Sequence, residues 1–538
     1  MNEVFSGMDS DVLTYIHGNY PRLAALLSRL SIENRNLLVQ QIEGAPQPGG
    51  VAGRIEDLLA GDASAAVEEV LRDPSGSATM VAAVGGSHFL FSILNRNPEL
   101  VRTLFIRGDC TICKTRRIMA SELQEKLAGI ATPSDADRVL RLYKEKEYLR
   151  IGCRDLSGYA DLKEVMSELS QLAGACVQAA MDFHLHRLAE KYGLPEGVGP
   201  GGGIVAIGMG KVSGNELNFS SDVDLIFIRG PEDGRTLGRE SIPVSRFYET
   251  LVRSVTRSLS DITEDGFVFR VDLRLRPEGE KGELVPSLSN ALDYYLGWGR
   301  TWERAALMKA VPLAGDMELG AEFIRELEPF IYRKHLDFST LEDMRAMKHR
   351  IAMGLKRKPG IDIKLGHGGI REIEFFVQAL QLINAGRTPR VRSASTLKGI
   401  DLLNECGLLD DSTAVTLREA YRFFRLTEHR IQINHQRQTH ELPRTLADQT
   451  ELARRMGYRN DALPAFLKDL ERHRKAVEDL FSSLFYQSRE DTLAQVSVKA
   501  KWILESIHDE AATERLLEQH GFEDPTGSYA ILRNLVAP

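Results

Sequence analysis

Asp222 and Asp224 open an apolar run, "DVDLIFI", and Asp272 sits inside "FVFRVDLRLRP". Three carboxylates on two β-like segments are a donor set for divalent cations. Alternate side chains of a strand share a face, so Asp222 and Asp224 point the same way as Ile226 and Ile228. A rise of about 3.3 Å per residue puts their Cα atoms about 6–7 Å apart. From that spacing two carboxylates converge on one ion or bracket two ions about 3.5–4 Å apart. Hard oxygen donors select Mg²⁺ or Mn²⁺, and two ions are expected. An isolated buried carboxylate is costly, so acids at the mouth of a buried strand are normally paired, neutralised or bound to metal.

In the second segment Val268, Arg270, Asp272, Arg274 and Arg276 alternate with Phe267, Phe269, Val271, Leu273 and Leu275. The alternation predicts a strand over 267–276 with one packed face. Arginines beside a metal carboxylate suit a site that handles phosphate oxygens. Asp272 could instead only pair with its strand neighbours. Its company with Asp222 and Asp224 favours the metal reading.

The preceding stretch, "GIVAIGMGKVSGNE", reads as a strand opening into Gly208, Gly210 and Gly214, with Lys211 and Ser213 between them. Glycine lets backbone approach a phosphate, and successive N–H groups can cradle it. A dinucleotide fingerprint does not fit, because Ser213 replaces the third glycine and a second strand begins within about ten residues. A Walker A loop is absent.

Residues 1–200 read as helical. In "DLKEVMSELSQLAGACVQAAMDFHLHRLAEKYGLP", Asp161 and Glu164 resemble a capping box, and Gly193 with Pro195 supplies the stop. "APQPGGVAG" reads as a linker at 45–53, and "EGVGPGGG" marks a boundary at 196–203. Residues 201–340 form the expected catalytic core. Residues 341–488 are helical again, with one long helix running from "DSTAV" to just before Pro443. Residues 489–538 carry further helices and a turn. The fold class expected is α+β: a small mixed sheet flanked by N-terminal and C-terminal helical regions, mostly α overall.

The 538 residues are 43% hydrophobic and 27% charged, ordinary values for a soluble globular chain. A net charge of −8 argues against a general nucleic-acid or anionic-membrane binder. No stretch approaches the ~18 apolar residues of a spanning helix. The N-terminal residues lack the basic end and apolar run of a signal peptide, so a cytoplasmic protein is expected. Five cysteines make no disulfide framework, and Cys110 and Cys113 read as reduced thiols. His367, His429 and His435 have no metal-ligand spacing and read as structural.

Strand, glycine turn, short helix and D-x-D on the next strand is the nucleotidyltransferase arrangement of the DNA polymerase β superfamily. "GMGKVSGNELNFSSDVDLIFI" closely resembles that motif. Downstream, "DGFVFRVDLRLRPEGEKGELVPSL", "DYYLGWGRTWERAALMKAVPLAGD", "IDIKLGHGGIREIEFFVQALQLI" and "YRFFRLTEHRIQINHQRQTHELP" resemble successive signatures of the bifunctional glutamine synthetase adenylyltransferase/adenylyl-removing enzymes. Family-like motifs run from Arg154–Leu156 to the early 440s. "NELNFSSDVD", "GRTWERAALMKA" and "GGIREIEF", with its Arg371–Glu372 pair, resemble the N-terminal, adenylyl-removing half. The resemblance implies that half alone, with 489–538 a helical linker toward an absent second half.

It also implies a reaction. Inorganic phosphate would attack AMP held on a tyrosine of adenylylated glutamine synthetase and release ADP. In that reading Asp222 and Asp224 hold two metal ions and Asp272 shares one. Gly208, Gly210, Lys211, Ser213, Gly214 and Ser221 cradle phosphate or nucleotide. Arg274 and Arg276 bind the attacking phosphate or offset charge on the leaving tyrosinate. Lys364, Glu372 and Glu374 join the pocket, although two acids two apart on a helix do not share a face, so at most one points inward. Trp302 and Glu303 are further candidates to line it. The family's uridylylated PII partner is implied too, as are stimulation by 2-oxoglutarate and opposition by glutamine, with no motif marking their sites. The rival readings are a forward adenylyltransferase using ATP and a non-catalytic PII-binding module. A nucleic-acid polymerising transferase would want a basic groove that the charge balance does not favour.

Overall fold

The computed structural model describes residues 9–199, 201–333 and 360–483, with a few positions between 513 and 529. Residues 1–477 form one compact unit and 478–538 a second. The described positions of the second are helical at 478–482, 513–515, 517 and 526–529.

The first unit is an α+β fold dominated by helices around one small mixed sheet. The sheet contains β1 (Ile204–Gly208), β2 (Val223–Arg229), β3 (Val271–Asp272) and β4 (Val311–Gly315), in the order β3-β2-β1-β4. β1 pairs antiparallel with β2 and β4, while β2 and β3 run parallel. A parallel pair needs a crossover, and the helix Val244–Ser260 supplies it. Its apolar face buries Phe247, Leu251, Val252, Val255 and Leu259. All five β1 residues are buried, as expected for a central strand covered on both faces.

The helix Leu162–Tyr192 is the backbone of the unit. Asp161 caps it by accepting from the Glu164 N–H at 2.8 Å, and Gly193, at φ 72°, ends it. Val165, Leu169, Leu172, Cys176 and Ala180 bury its inner face. It grips β4 through Gln178, whose Oε1 accepts from the Gly315 N–H at 2.9 Å. On another side the helix Met317–Ile331 lies so close that a Cβ on Gly320 would stand 2.9 Å from Val205.

Three sequence expectations change. The 45–53 "linker" contains the start of the helix Pro48–Ala60, with Pro48 in the first turn and Val51, Ala52 and Ile55 buried. Proline fits there because the first helical N–H groups lack partners anyway. The strand expected over 267–276 shrinks to Val271–Asp272, and Val268 and Phe269 are both buried, so the segment does not have the one packed face expected of it. The Arg274 N–H turns back to Asp272 Oδ1 at 2.8 Å, which ends the strand in a turn. The long helix stops at His435, well before Pro443, where Gln436 adopts a left-handed φ of 51°. The chain then pairs with 361–363: Leu442 N–H reaches Ile361 O at 2.9 Å and Ile363 N–H reaches His440 O at 3.0 Å.

The core does not divide at the 200/201 border. One hydrophobic cluster runs from Val12 through the sheet to Ile433. The 340/341 border and most of 489–538 lie outside the described residues. Among the described residues no single helix is long and apolar enough to cross a membrane.

Candidate active site

Asp224 is the second residue of β2, and the parallel register places it opposite Asp272 of β3. Asp222 lies just before β2. Its Oδ1 accepts from Arg270 Nε at 2.7 Å and its Oδ2 from Gln438 Nε2 at 2.5 Å. Arg270 also donates to Ser220 O, so one guanidinium fixes both the loop and its acid. Asp272 is held by the exposed Arg274, whose Nη2 lies 2.5 Å from Oδ2.

The electrostatics of the three acids differ. Burial, then the charges of Asp272 and Asp222, push the Asp224 carboxyl up to about 7, against the opposing pull of Lys364 and Arg274. Hydrogen bonds from Arg274 hold Asp272 below the usual carboxylate range. Asp224 therefore sits where negative charge accumulates. Hard oxygens in that field fit a divalent cation.

The glycine turn lies against the same acid. Gly210 has φ 61°, and a Cβ there would stand 2.7 Å from Asp224 Oδ2. The short helix Gly210–Ser213 follows, and Ser213 Oγ donates back to Gly210 O at 2.8 Å. Gly208 packs on Leu313 and Val212, while Gly214 allows close approach of the 394–395 backbone. Ser221 Oγ accepts from the Asn218 N–H at 3.1 Å and shapes the loop before Asp222. Arg276 spends its guanidinium on the carbonyls of Leu273, Glu280 and Gly282.

Lys211 turns away from solvent into a buried polar cluster. It ion-pairs with Glu374 and donates to Tyr421 Oη at 3.1 Å. Burial, reinforced by Arg425 and Lys309, draws its amine well below the usual lysine range. Tyr421 donates in turn to Glu216 Oε2 at 2.9 Å. Glu216 accepts the Thr396 N–H at 2.7 Å, capping the first turn of the helix Thr396–Glu405. Although burial acts to raise it, Lys309 and Lys211 bring the Glu216 carboxyl below its ordinary value. The cluster ties the glycine turn to the helices Ile370–Asn384 and Asp411–His435.

The two acids of "REIEF" separate. Glu374 meets Lys211, whereas buried Glu372 accepts from the Gly368 N–H at 3.0 Å and shapes its own loop. Lys364 lies 4.0 Å from Glu428. Trp302 is exposed, and Glu303 accepts from the Arg300 N–H and Tyr294 Oη. Elsewhere, Cys113, Glu164 and Glu168 have donor atoms within 4.8 Å of one another, but Arg150 and Arg154 occupy the acids.

Sequence reasoning missed Gln438, Glu216, Asn218 and Tyr421. The signal for Gln438 was the polar run "HQRQTHE" after a long helix, a composition poor for continuing an apolar face.

A small mixed sheet among helices, with a glycine turn and acids on adjacent strands, is consistent with an α+β nucleotidyltransferase core. The comparisons with known proteins agree with that class. Residues 77–326 match the family model for glutamate-ammonia ligase adenylyltransferase, and residues 342–485 match the GlnD PII-uridylyltransferase model. The homologues are named bifunctional glutamine synthetase adenylyltransferase/adenylyl-removing enzymes. The protein of Nitrosococcus oceani is 40% identical over 424 residues, which is 78% of this chain and 43% of that protein. The Methylococcus capsulatus protein is 40% identical over 402 residues, 74% of this chain and 42% of its own. The Pseudomonas putida protein is 37% identical over 460 residues, 84% of this chain and 46% of its own. The chain spans less than half the length of these curated relatives.

Proposed function

We propose that the chain is a metal-dependent nucleotidyltransferase that removes AMP from adenylylated glutamine synthetase by phosphorolysis. The observation that carries the transferase reading is the register of β2 on β3, which sets Asp224 beside Asp272 with Asp222 two residues upstream. The name of the homologues supports the substrate, and the "GGIREIEF" segment supports the removing direction.

Asp222, Asp224 and Asp272 are the residues that would hold Mg²⁺ or Mn²⁺, which supplies positive charge for phosphoryl oxygens when bound. The protein's own groups do the aligning. Arg270 and Gln438 fix the Asp222 carboxylate, and Gly210 leaves room for backbone to approach Asp224. Arg274 is the exposed guanidinium beside the acids and the best placed to meet an incoming phosphate. A phosphate oxygen forms a bond to the AMP phosphorus as the bond to the tyrosine oxygen breaks, giving ADP. The tyrosine oxygen leaves with the electron pair and is protonated from solvent. Phosphate is already anionic, so alignment and charge stabilisation matter more than a general base.

The test is a product assay on adenylylated glutamine synthetase with Mg²⁺, with and without phosphate. ADP formed only with phosphate supports the proposal. The adenylyltransferase name of the 77–326 match favours a second reading, the forward reaction. AMP transfer from labelled ATP onto the unmodified enzyme, with no ADP release, would establish that direction instead. Neither product would move a PII-binding module to the front, a role the 342–485 match favours.

A further inference from the structure

A cavity of about 370 Å³ lies away from the carboxylates, between the first helices of the unit and its C-terminal helices. Arg430, Arg454, Arg455 and Arg459 line it, and no Asp or Glu among the described residues does. Val81 and Leu156 contribute an apolar floor. Two of the arginines are neutralised from outside, Arg430 by Asp155 and Arg455 by Glu451. The other two donate to backbone: Arg454 to Pro46 O at 3.4 Å and Arg459 to Gly44 O. Arg455, with a side chain only 5% exposed, leaves its Nε buried without a hydrogen-bond partner among the described residues, and Arg430 does the same. A buried N–H without an acceptor is costly, so these two side chains are held by packing and by their terminal nitrogens, which face Asp155 and Glu451.

The cavity also has a route to the candidate active site. Arg430 grips Asp155 with both terminal nitrogens. His429 Nε2 lies 3.0 Å from Asp155 Oδ2, and its Nδ1 lies 3.2 Å from Asn218 Oδ1. The Asn218 N–H donates to Ser221, the residue before Asp222. His429, Asp155 and Asn218 are all buried, so a shift of Arg430 is carried by packed, bonded groups rather than by solvent.

We propose that this cavity is an effector site for a small organic anion, whose carboxylate or phosphate groups engage the four arginines, and that occupancy biases the Asp222 loop through Arg430, Asp155, His429 and Asn218. Guanidinium forks match carboxylate and phosphate alike. The volume is that of a small-metabolite pocket. The apolar floor asks for a carbon body rather than a bare inorganic ion.

Calorimetric titration of the full chain with succinate and, separately, with glycerol 3-phosphate tests the site, with chloride at matched ionic strength as the control. Saturable binding of one probe is expected, and which arm binds tells carboxylate from phosphate. The exposed pair Arg454→Gln/Arg459→Gln, checked by its thermal melt, is expected to weaken it roughly tenfold or more, from the loss of charge-assisted hydrogen bonds. No binding beyond chloride, or unchanged affinity in the double variant, overturns the site. Hydrogen exchange of amides 216–222 is expected to slow when the bound probe saturates. Unchanged exchange overturns the coupling. Both readouts work without turnover, so they stand or fall apart from the reaction proposed above.

Discussion

Asp224 and Asp272 face each other across the parallel β2–β3 pair, and the charge of Asp272 helps to raise the Asp224 carboxyl. Two acids in register are mutually repulsive, and a fold keeps such an arrangement when a ligand uses it. Asp224→Asn is expected to lower the rate about 10²–10³-fold or more, the scale for losing one charge-stabilising group. Because the substitution removes buried like-charge repulsion, its melting temperature should equal or exceed that of the wild type at pH 8. Near-wild-type ADP release would sink the metal assignment.

Gly210 makes a different demand. At φ 61°, with Asp224 Oδ2 only 2.7 Å from where a Cβ would stand, it admits no side chain. Gly210→Ala should cost about 1–2 kcal/mol from the left-handed backbone alone, and should also disturb Asp224. Gly208→Ala meets its nearest neighbours at 3.3 Å and should be milder in both stability and rate. Equal effects from the two substitutions, in paired denaturation and rate measurements, would remove Gly210's special role.

The pair Lys211–Glu374, with each side chain 14% exposed, fastens the glycine turn to the helix Ile370–Asn384. Lys211→Met leaves a largely buried carboxylate without its partner and should cost about 1–3 kcal/mol. The double variant Lys211→Met/Glu374→Leu should recover most of that loss. A double-mutant cycle by denaturant unfolding reads the coupling, and additive losses would show that the two act independently.

Lys144 is buried among aromatic rings, 4.2 Å from the Tyr148 centroid, with a hydrogen bond to Phe267 O at 3.3 Å. Burial draws its amine down to about 7, with Glu145 and Cys176 opposing and Arg270 and Arg96 reinforcing. The unfolded lysine titrates near 10.4. Between about 7 and 10.4 the native state therefore binds fewer protons than the unfolded state, and stability rises with pH. Lys144→Met should remove that component of the slope and add on the order of 1–3 kcal/mol at pH 7, where the charged form is penalised. Denaturant midpoints at pH 7 and 9.5 check this. Parallel pH profiles for wild type and variant would refute it.

Much of the site was legible because its determinants are local. The two-residue spacing of Asp222 and Asp224, the glycines at 208, 210 and 214, the Asp161 cap and the Gly193 stop all lie within a few bonds of what they control. The small mixed sheet among helices was legible for the same reason. Local pattern failed where another segment intervened. "FVFRVDLRLRP" has the alternation of a long strand, but Arg274 folds back on Asp272 and stops it. "APQPGG" has a linker's composition, but Pro48 starts a helix because Val51, Ala52 and Ile55 have a core to enter.

The sequence by itself thus determined which acids and glycines stand together, since strand alternation and turn chemistry are set by neighbouring residues. Only the tertiary structure decided that β3 lies parallel beside β2, through the crossover helix Val244–Ser260, so that Asp272 reaches Asp224. It alone brought Gln438 to Asp222 and Glu374 to Lys211, from segments far along the chain. Such contacts follow from how buried faces pack against one another, and no local spacing encodes them.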